Sequence, residues 1–181
     1  MLDDTIDALR GVALDADDAS GYFPAMYARV TDRIRDAATA GRFDDGAGMA
    51  RFAEAFAEWY LRAMTGTTTP PGCWQACRNV ADDGRLLIVQ HLLAGINAHV
   101  NHDLPQVVIQ LAADRDGIGG MRADFDAVND VLSETMPDVL RDLGRVSAWV
   151  NIAASRGGGR VFHFSLEAAR AQAWRSAVRL E

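Results

Sequence analysis

The sequence predicts an all-α fold, a single-domain helical bundle of about six to eight helices around a central apolar helix at about 85–111. Apolar residues recur at helical spacing along most of the chain, while alternating runs of β-branched residues are missing. The chain has 181 residues, 49% of them hydrophobic, and shows no internal repeat or domain linker. We therefore expect one helical domain over residues 1–181 that buries a substantial core.

The first three helices follow from this apolar periodicity. Leu2, Ile6 and Leu9 share one face of a short first helix. The stretch GYFPAMYARVTDRIRDAATAGRF predicts a second helix that stops at Gly41, because glycine commonly ends a helix. The stretch DGAGMARFAEAFAEWYLRAMTG predicts a third, with apolar residues on one face and charged residues opposite. Its FAEAFAEWY part is a candidate homodimer face.

The remaining helices are separated by loops rich in glycine and proline. TGTTTPPG is the clearest loop, and a short helix is expected after it over 71–80, followed by the central helix from about residue 85. After the loop DRDGIGGMR, Asp124 is expected to cap a helix and Pro137 to open its successor. The stretch SRGGGRVFHF is expected to be a loop, with Ser165 capping the last helix.

Composition excludes several classes of function. The net charge of −7 argues against nucleic acid and anionic membranes as partners, since both need a basic surface. All 18 basic residues are arginine, which excludes lysine Schiff-base chemistry and a Walker-type phosphate loop. The acidic start MLDDTIDALRG is unlike a secretory leader and no apolar run is long enough to span a membrane, so we expect a cytoplasmic protein. Cys73 and Cys77 are then expected to be reduced thiols.

The central segment VQHLLAGINAHVNHDLP combines apolar periodicity with unusual polar chemistry. It holds three of the chain's four histidines. With about 3.6 residues per turn, Asp103 falls inside the apolar stripe and His99 lies on its edge, one turn away. A carboxylate in an apolar layer is costly unless it is paired, hydrogen-bonded or bound to a metal. Gly95, in the middle of the helix, is expected to let another helix or a ligand approach closely.

Pro105 leaves two structures open for this segment, because its ring clashes with the carbonyl four residues earlier. In one, the helix ends near Asn101, Asp103 caps a new helix that starts at Pro105, and His99 is an ordinary core histidine. In the other, a proline kink opens a pocket and presents His99 and Asp103 into it.

The second structure would make His99, Asp103 and Asn101 the candidate catalytic residues. A divalent metal (zinc, iron or manganese) is a candidate cofactor held by His99 and Asp103, with His102 and Asp142 as weaker candidate ligands. The partner expected in such a pocket is a small-molecule substrate. Its candidate binding residues are polar or aromatic side chains on helices that face the centre: Tyr27, Tyr60, Asn97, Asn129 and Trp149.

The segment QHLLAGINAHVNHDLP also resembles an uncharacterised, mainly actinobacterial family of helical proteins, a domain of unknown function whose members carry a G-x-N-A-H-x-N-x-D-L core. The stretches DFDAVNDVL and FAEWYLRAM are similar to other parts of that family. The resemblance implies that His99, Asn101 and Asp103 belong together as a unit, and it supplies no reaction. His102 stands at a position that the pattern leaves open.

Three functions remain as hypotheses at this point. One is a small-molecule enzyme, a metal-dependent hydrolase or lyase centred on His99 and Asp103. A metal-free version uses His99 as general acid or base and Asp103 to orient it, in a cyclase or isomerase acting on a hydrophobic biosynthetic intermediate. The third is a non-catalytic helical binding module, in which the polar residues of the central helix form a structural network.

Overall fold

The chain is all-α in the computed structural model, which describes residues 2–112, 117–146 and 158–180, with side chains for 2–112, 117–145 and 165–180. The helices are α1 (Leu2–Leu14), α2 (Tyr22–Thr39), α3 (Gly46–Thr65), α4 (Gly72–Asn79), α5 (Ile88–Ala98), α6 (Leu104–Ala112), α7 (Arg122–Val146) and α8 (Gly158–Leu180). A π turn, His99–Asp103, joins α5 to α6, and 3₁₀ turns lie at Ala19–Gly21 and Ile118–Met121. With α5, the π turn and α6 taken as one helix, these ranges contain seven helices and no strand. The all-α prediction is confirmed.

The central helix joins two apolar clusters. Its C-terminal half packs against α3 and α8 and shares an apolar cluster with residues of α7. Leu104, Val107 and Val108 in this half are fully buried. Its N-terminal half packs with α2 and α4, where Phe23 and Trp74 belong to the second cluster. The predicted close approach at Gly95 is confirmed, because an added Cβ there would stand 2.7 Å from the Phe23 ring. The prediction of a central buried helix is therefore correct, and its polar residues lie between two cores.

Neither of the two structures considered for Pro105 describes the central helix fully. The helix does not end at Asn101, and it passes Pro105 through a π turn in which the Leu104 N–H donates to the His99 carbonyl. We attribute the wider turn to Pro105, which lacks an N–H and needs room for its ring. His99 and Asp103 are both buried, as the second structure requires, but of the two only His99 borders the cavity at the centre of the fold.

Two predicted helix starts are wrong. Pro137 lies inside α7 and does not open a new helix. It is exposed, whereas its neighbours Met136 and Val139 are buried on the inner face, so packing along that face holds the helix together across the proline. Ser165 lies inside α8, which begins seven residues earlier at Gly158. Residues 155–157 of the predicted loop lie outside the described residues.

Asp124 also has a different position from the predicted cap. The helix α7 begins two residues before it, at Arg122. The buried Asp124 carboxylate accepts hydrogen bonds from the backbone N–H groups of Asp44, at 2.7 Å, and Asp45, at 2.9 Å. Asp124 therefore ties the start of α7 to the loop that leads into α3, which is a contact between distant parts of the sequence.

The helix α3 packs large apolar residues into the core of the fold. Phe52 and Tyr60, both in the FAEAFAEWY stretch, are buried in the two clusters. This face is therefore occupied within the protein, and the homodimer stays a prediction. Among the described helices, none has an apolar stretch of the length and character needed to cross a bilayer.

Candidate functional site

The Asp103 carboxylate is the centre of a buried hydrogen-bond network. It is 1% exposed and contacts ring nitrogens of three side chains. The Trp74 indole lies 3.1 Å from Oδ2, the His99 Nδ1 lies 2.8 Å from Oδ2, and the His102 Nδ1 lies 2.7 Å from Oδ1. A carboxylate only accepts hydrogen bonds, so each ring nitrogen carries the hydrogen that it presents to Asp103. Three N–H groups therefore converge on this one carboxylate.

Local structure explains how these donors meet. The five-residue π turn contains His99, His102 and Asp103, and both imidazoles lie within hydrogen-bonding distance of the Asp103 carboxylate. Trp74 comes from the short helix α4, where it is the buried residue of an otherwise more exposed helix. An indole N–H that is buried needs an acceptor, and Asp103 provides it.

His99 is enclosed by aromatic rings. It is 3% exposed, stacks on Phe56 at 3.6 Å between ring centroids, and meets the edge of Tyr27 at 4.5 Å. Burial lowers the pKa of His99, and the neighbouring Asp103 opposes this shift in part. The imidazole is therefore neutral at pH 7, with its hydrogen on Nδ1. Its other nitrogen, Nε2, is buried and has no hydrogen-bond partner among the described residues.

A cavity of about 90 Å³ lies beside this imidazole. His99 is part of its wall, as are three methionines, Met26, Met49 and Met136. Methionine side chains are flexible, so the wall of the cavity can change shape to fit a ligand. The other lining residues are mostly apolar and come from the helices around the centre of the fold: Phe23, Tyr27, Val30, Thr31, Ile34, Phe52, Ala53, Phe56, Ile96, Val100, Val128, Leu132, Leu166 and Arg170.

The two tyrosines predicted to bind substrate lie in different places. Tyr27 lines the cavity, and Tyr60 lines a separate hollow of about 30 Å³ together with Trp74 and Gly95. Both hydroxyls are buried and have no partner in the described part of the chain. Burial raises the pKa of both, so each remains a protonated phenol that can donate a hydrogen bond.

The asparagines of the central helix are not brought to the cavity. Asn97 and Asn101 are exposed, and the Asn101 amide donates to Oδ1 of Asn97. Asn101, a candidate catalytic residue from the sequence, therefore faces away from His99 and Asp103. The three residues were grouped because they share the motif on which the family resemblance depends, and the helix separates them.

The other predicted residues have mixed outcomes. His102, a weaker candidate metal ligand, is partly exposed and forms a hydrogen bond with Asp103. Asp142 lies near the surface, where it forms ion pairs with Arg29 and Arg145 instead of lining the cavity beside His99. Asn129 accepts a hydrogen bond of 2.8 Å from Arg170, a residue of the cavity wall. Trp149 lies outside the described residues.

Two important residues were missed by sequence analysis, Trp74 and Arg170. The signal for Trp74 was weak, because nothing in PPGCWQACR indicates a buried acceptor in another helix. Arg170 had a clearer signal. It shares the apolar stripe of α8 with Leu166, Ala173 and Trp174, which is the same pattern that singled out Asp103.

A metal-binding set is not assembled around this site. Across the residues that the structure describes, no group of three or more His, Cys, Asp and Glu side chains could hold a metal ion. Both oxygens of Asp103 accept N–H hydrogen bonds, and both histidines direct Nδ1 at that carboxylate. This arrangement favours a hydrogen-bonded dyad, and the divalent metal stays a prediction.

Comparison with known proteins identifies a family and no reaction. The model of a family of unknown function, DUF5995, matches residues 2–181. No curated protein matches the chain. No solved structure matches it either.

Proposed function

We propose that this chain, which belongs to the family of unknown function DUF5995, is a small-molecule enzyme that uses His99 as a metal-free general acid and base. Asp103 orients the imidazole, and a hydrophobic substrate occupies the adjacent cavity. The reaction class that fits is an isomerisation or cyclisation, in which a proton leaves one substrate atom and returns to another.

One observation carries this proposal: the two ring nitrogens of His99 have different surroundings. Nδ1 is held by Asp103 at 2.8 Å, whereas Nε2 is buried without a partner. A buried polar atom without a hydrogen bond costs about 1–3 kcal/mol, so a purely structural histidine would be expected to have both nitrogens satisfied. A substrate that presents an O–H or an acidic C–H to Nε2 would remove this cost.

The chemistry follows from the hydrogen-bond pattern. Nε2 takes the substrate proton, and the positive charge that forms on the imidazole is stabilised by the Asp103 carboxylate. In an isomerisation the electron pair left on the substrate forms a new double bond while a neighbouring π bond breaks, and in a cyclisation it forms the ring bond to one carbon of a double bond whose π bond breaks. In both cases Nε2 returns the proton to the atom that receives the displaced π electrons. Tyr27, a protonated phenol beside the imidazole, can donate its hydrogen to an oxygen where negative charge develops.

Phenol and toluene are suitable probes, because they have similar shape and only phenol presents an O–H. We expect phenol to bind about three- to tenfold more tightly than toluene, which is the contribution of one net hydrogen bond. His99→Phe should reduce this ratio toward one. His91→Phe is the matched control, since His91 lies eight positions earlier on the same helix and does not line the cavity. A ratio that is unchanged in His99→Phe would overturn the proposal.

A second candidate is a non-catalytic binding module, and it is favoured by the three N–H donors around Asp103. This network joins α4 to the central helix and thereby contributes to a unique core. The same probes separate the two functions, because a purely structural His99 gives no preference for phenol that depends on its ring.

We also infer three properties from the sequence alone. The protein is cytoplasmic, its family is mainly actinobacterial, and the G-x-N-A-H-x-N-x-D-L core is a signature of that family. In this chain the core includes the dyad, His99 and Asp103.

A further inference from the structure

The wall of the cavity beside His99 includes Arg170, a residue of α8 that carries a guanidinium group. Arg170 is 5% exposed and forms part of the cavity wall. Burial lowers its pKa to about 10, so it remains positively charged at neutral pH. The wall of this mostly apolar cavity therefore includes a buried, positively charged residue.

The immediate partners of this cation are uncharged. Nε donates to Oδ1 of Asn129 at 2.8 Å, and Nη2 donates to the carbonyl oxygen of Phe125 at 2.7 Å. The guanidinium carbon also lies 4.3 Å from the centroid of the Phe125 ring. A guanidinium has about five N–H donors, so these two bonds leave others for a ligand.

No carboxylate forms an ion pair with Arg170 among the described residues. Asp126 is one turn of α7 away from Asn129, but it is exposed and pairs with Arg122 at 2.6 Å. The stretch 147–164, which leads into the described side chains of α8, contains no Asp or Glu in its sequence. Surface arginines such as Arg35 and Arg42 do pair with acidic side chains. Asp126 acts on Arg170 only through its charge, and it opposes only part of the effect of burial. A buried charge is costly unless it is directly paired, and no such ion pair is present among the described residues.

We propose that Arg170 binds the carboxylate of a small hydrophobic carboxylic acid whose apolar body fills the cavity. The proposal rests on the proposed function, because it names the chemical class of the ligand for the same cavity. A planar carboxylate matches the fork of a guanidinium and carries the single charge that one arginine neutralises. The aromatic and methionine side chains of the wall suit a body the size of one ring or a short acyl chain. With its carboxylate on Arg170, the ligand extends through the cavity in which His99 forms another part of the wall.

Benzoate and benzamide test the charge of the ligand, because they have the same shape and differ in charge. We expect wild-type protein at pH 7 to bind benzoate at least about tenfold more tightly than benzamide, as a charge-assisted hydrogen bond predicts. The preference should disappear in Arg170→Met and persist in Arg175→Met, the matched control, since Arg175 is an exposed residue of the same helix. Binding is measured by calorimetry, and folding of each variant by urea denaturation.

The wild-type comparison needs no variant, so it remains decisive if Arg170→Met does not fold; Arg170→Lys, which keeps the charge and loses the fork, should then retain only part of the preference. A benzoate preference that persists in Arg170→Met would place the anion elsewhere and overturn the inference.

If phenol shows its His99-dependent preference while benzoate binds no more tightly than benzamide, this inference is wrong and the proposed function stands. If benzoate binding depends on Arg170 but the phenol preference does not depend on His99, the inference stands and the general-base function falls. If none of the four probes binds, both are wrong.

Discussion

Asp103→Asn is the substitution that most sharply perturbs the buried network. The change keeps the shape of the side chain and replaces a carboxylate, which only accepts, by an amide with one accepting oxygen and one donating NH₂ group. In the native protein each carboxylate oxygen accepts from one imidazole, at 2.8 Å from His99 and 2.7 Å from His102. The amide can serve only one of these N–H groups and meets the other with a second donor.

The magnitude follows from the bonds that are lost. A hydrogen bond to a charged group contributes about 1.5–3 kcal/mol, and a buried N–H group left without a partner costs about 1–3 kcal/mol. Removing the charge also ends the desolvation cost of a carboxylate that is 1% exposed, which offsets part of the loss. We therefore expect Asp103→Asn to lower the free energy of unfolding by about 2–4 kcal/mol.

Urea denaturation at pH 7 measures this change, and Asp142→Asn is the control. Asp142 pairs with Arg29 and Arg145 at the surface, so its substitution should cost less than about 1 kcal/mol. A double-mutant cycle with Trp74→Phe should give a coupling energy of at least about 0.5 kcal/mol, because the two side chains share a hydrogen bond. If Asp103→Asn is as stable as wild type and adds independently to Trp74→Phe, the account of the network is refuted.

Three further predictions concern His99 and the helix that carries it. Burial lowers the pKa of His99 below its unfolded value of about 6.5, so the unfolded chain takes up the proton first and the free energy of unfolding should fall as pH decreases below about 6.5. His99→Phe should flatten this pH dependence in urea titrations, and equal slopes for the variant and wild type would argue against it. Gly95→Ala should destabilise the protein by up to about 2 kcal/mol, since its Cβ would lie 2.7 Å from Phe23. The control Gly11→Ala, which has open space in α1, should stabilise the protein by up to about 1 kcal/mol. A Gly95→Ala variant more stable than wild type would contradict the close contact between Gly95 and Phe23. Elemental analysis of protein without a histidine tag should find no stoichiometric divalent metal, and a metal that is lost in both His99→Ala and Asp103→Asn would favour the metal-dependent hydrolase or lyase instead.

The sequence predicted the fold and the inward position of the dyad, because both follow from apolar periodicity. Asp103 lies in the apolar stripe of a helix, and a burial pattern with about 3.6 residues per turn was enough to place it in the core beside His99. The same periodicity predicted the close approach at Gly95, although it did not identify Phe23 as the residue that approaches.

The rest of the site depends on effects that spacing does not encode. The π turn changes the direction of side chains around residue 100, so His102 reaches Asp103 although an ideal helix places it farther away. Trp74 lies 29 positions from Asp103, and no pattern within one helix predicts such a contact. Asn101 was expected at the site because it belongs to the motif that carries the family resemblance, yet it lies on the exposed face. Pro137 was expected to start a helix, but packing along α7 outweighed that local preference.

The position of the hydrogen on His99 is the central claim, and ¹⁵N NMR of uniformly labelled wild-type protein measures it most directly. Long-range ¹H–¹⁵N correlations at pH 7 distinguish a protonated ring nitrogen from one with a free electron pair. The account predicts that Nδ1 of His99 is protonated toward Asp103 and that Nε2 is unprotonated, as a general base requires. A hydrogen on Nε2, or on both nitrogens, would contradict it.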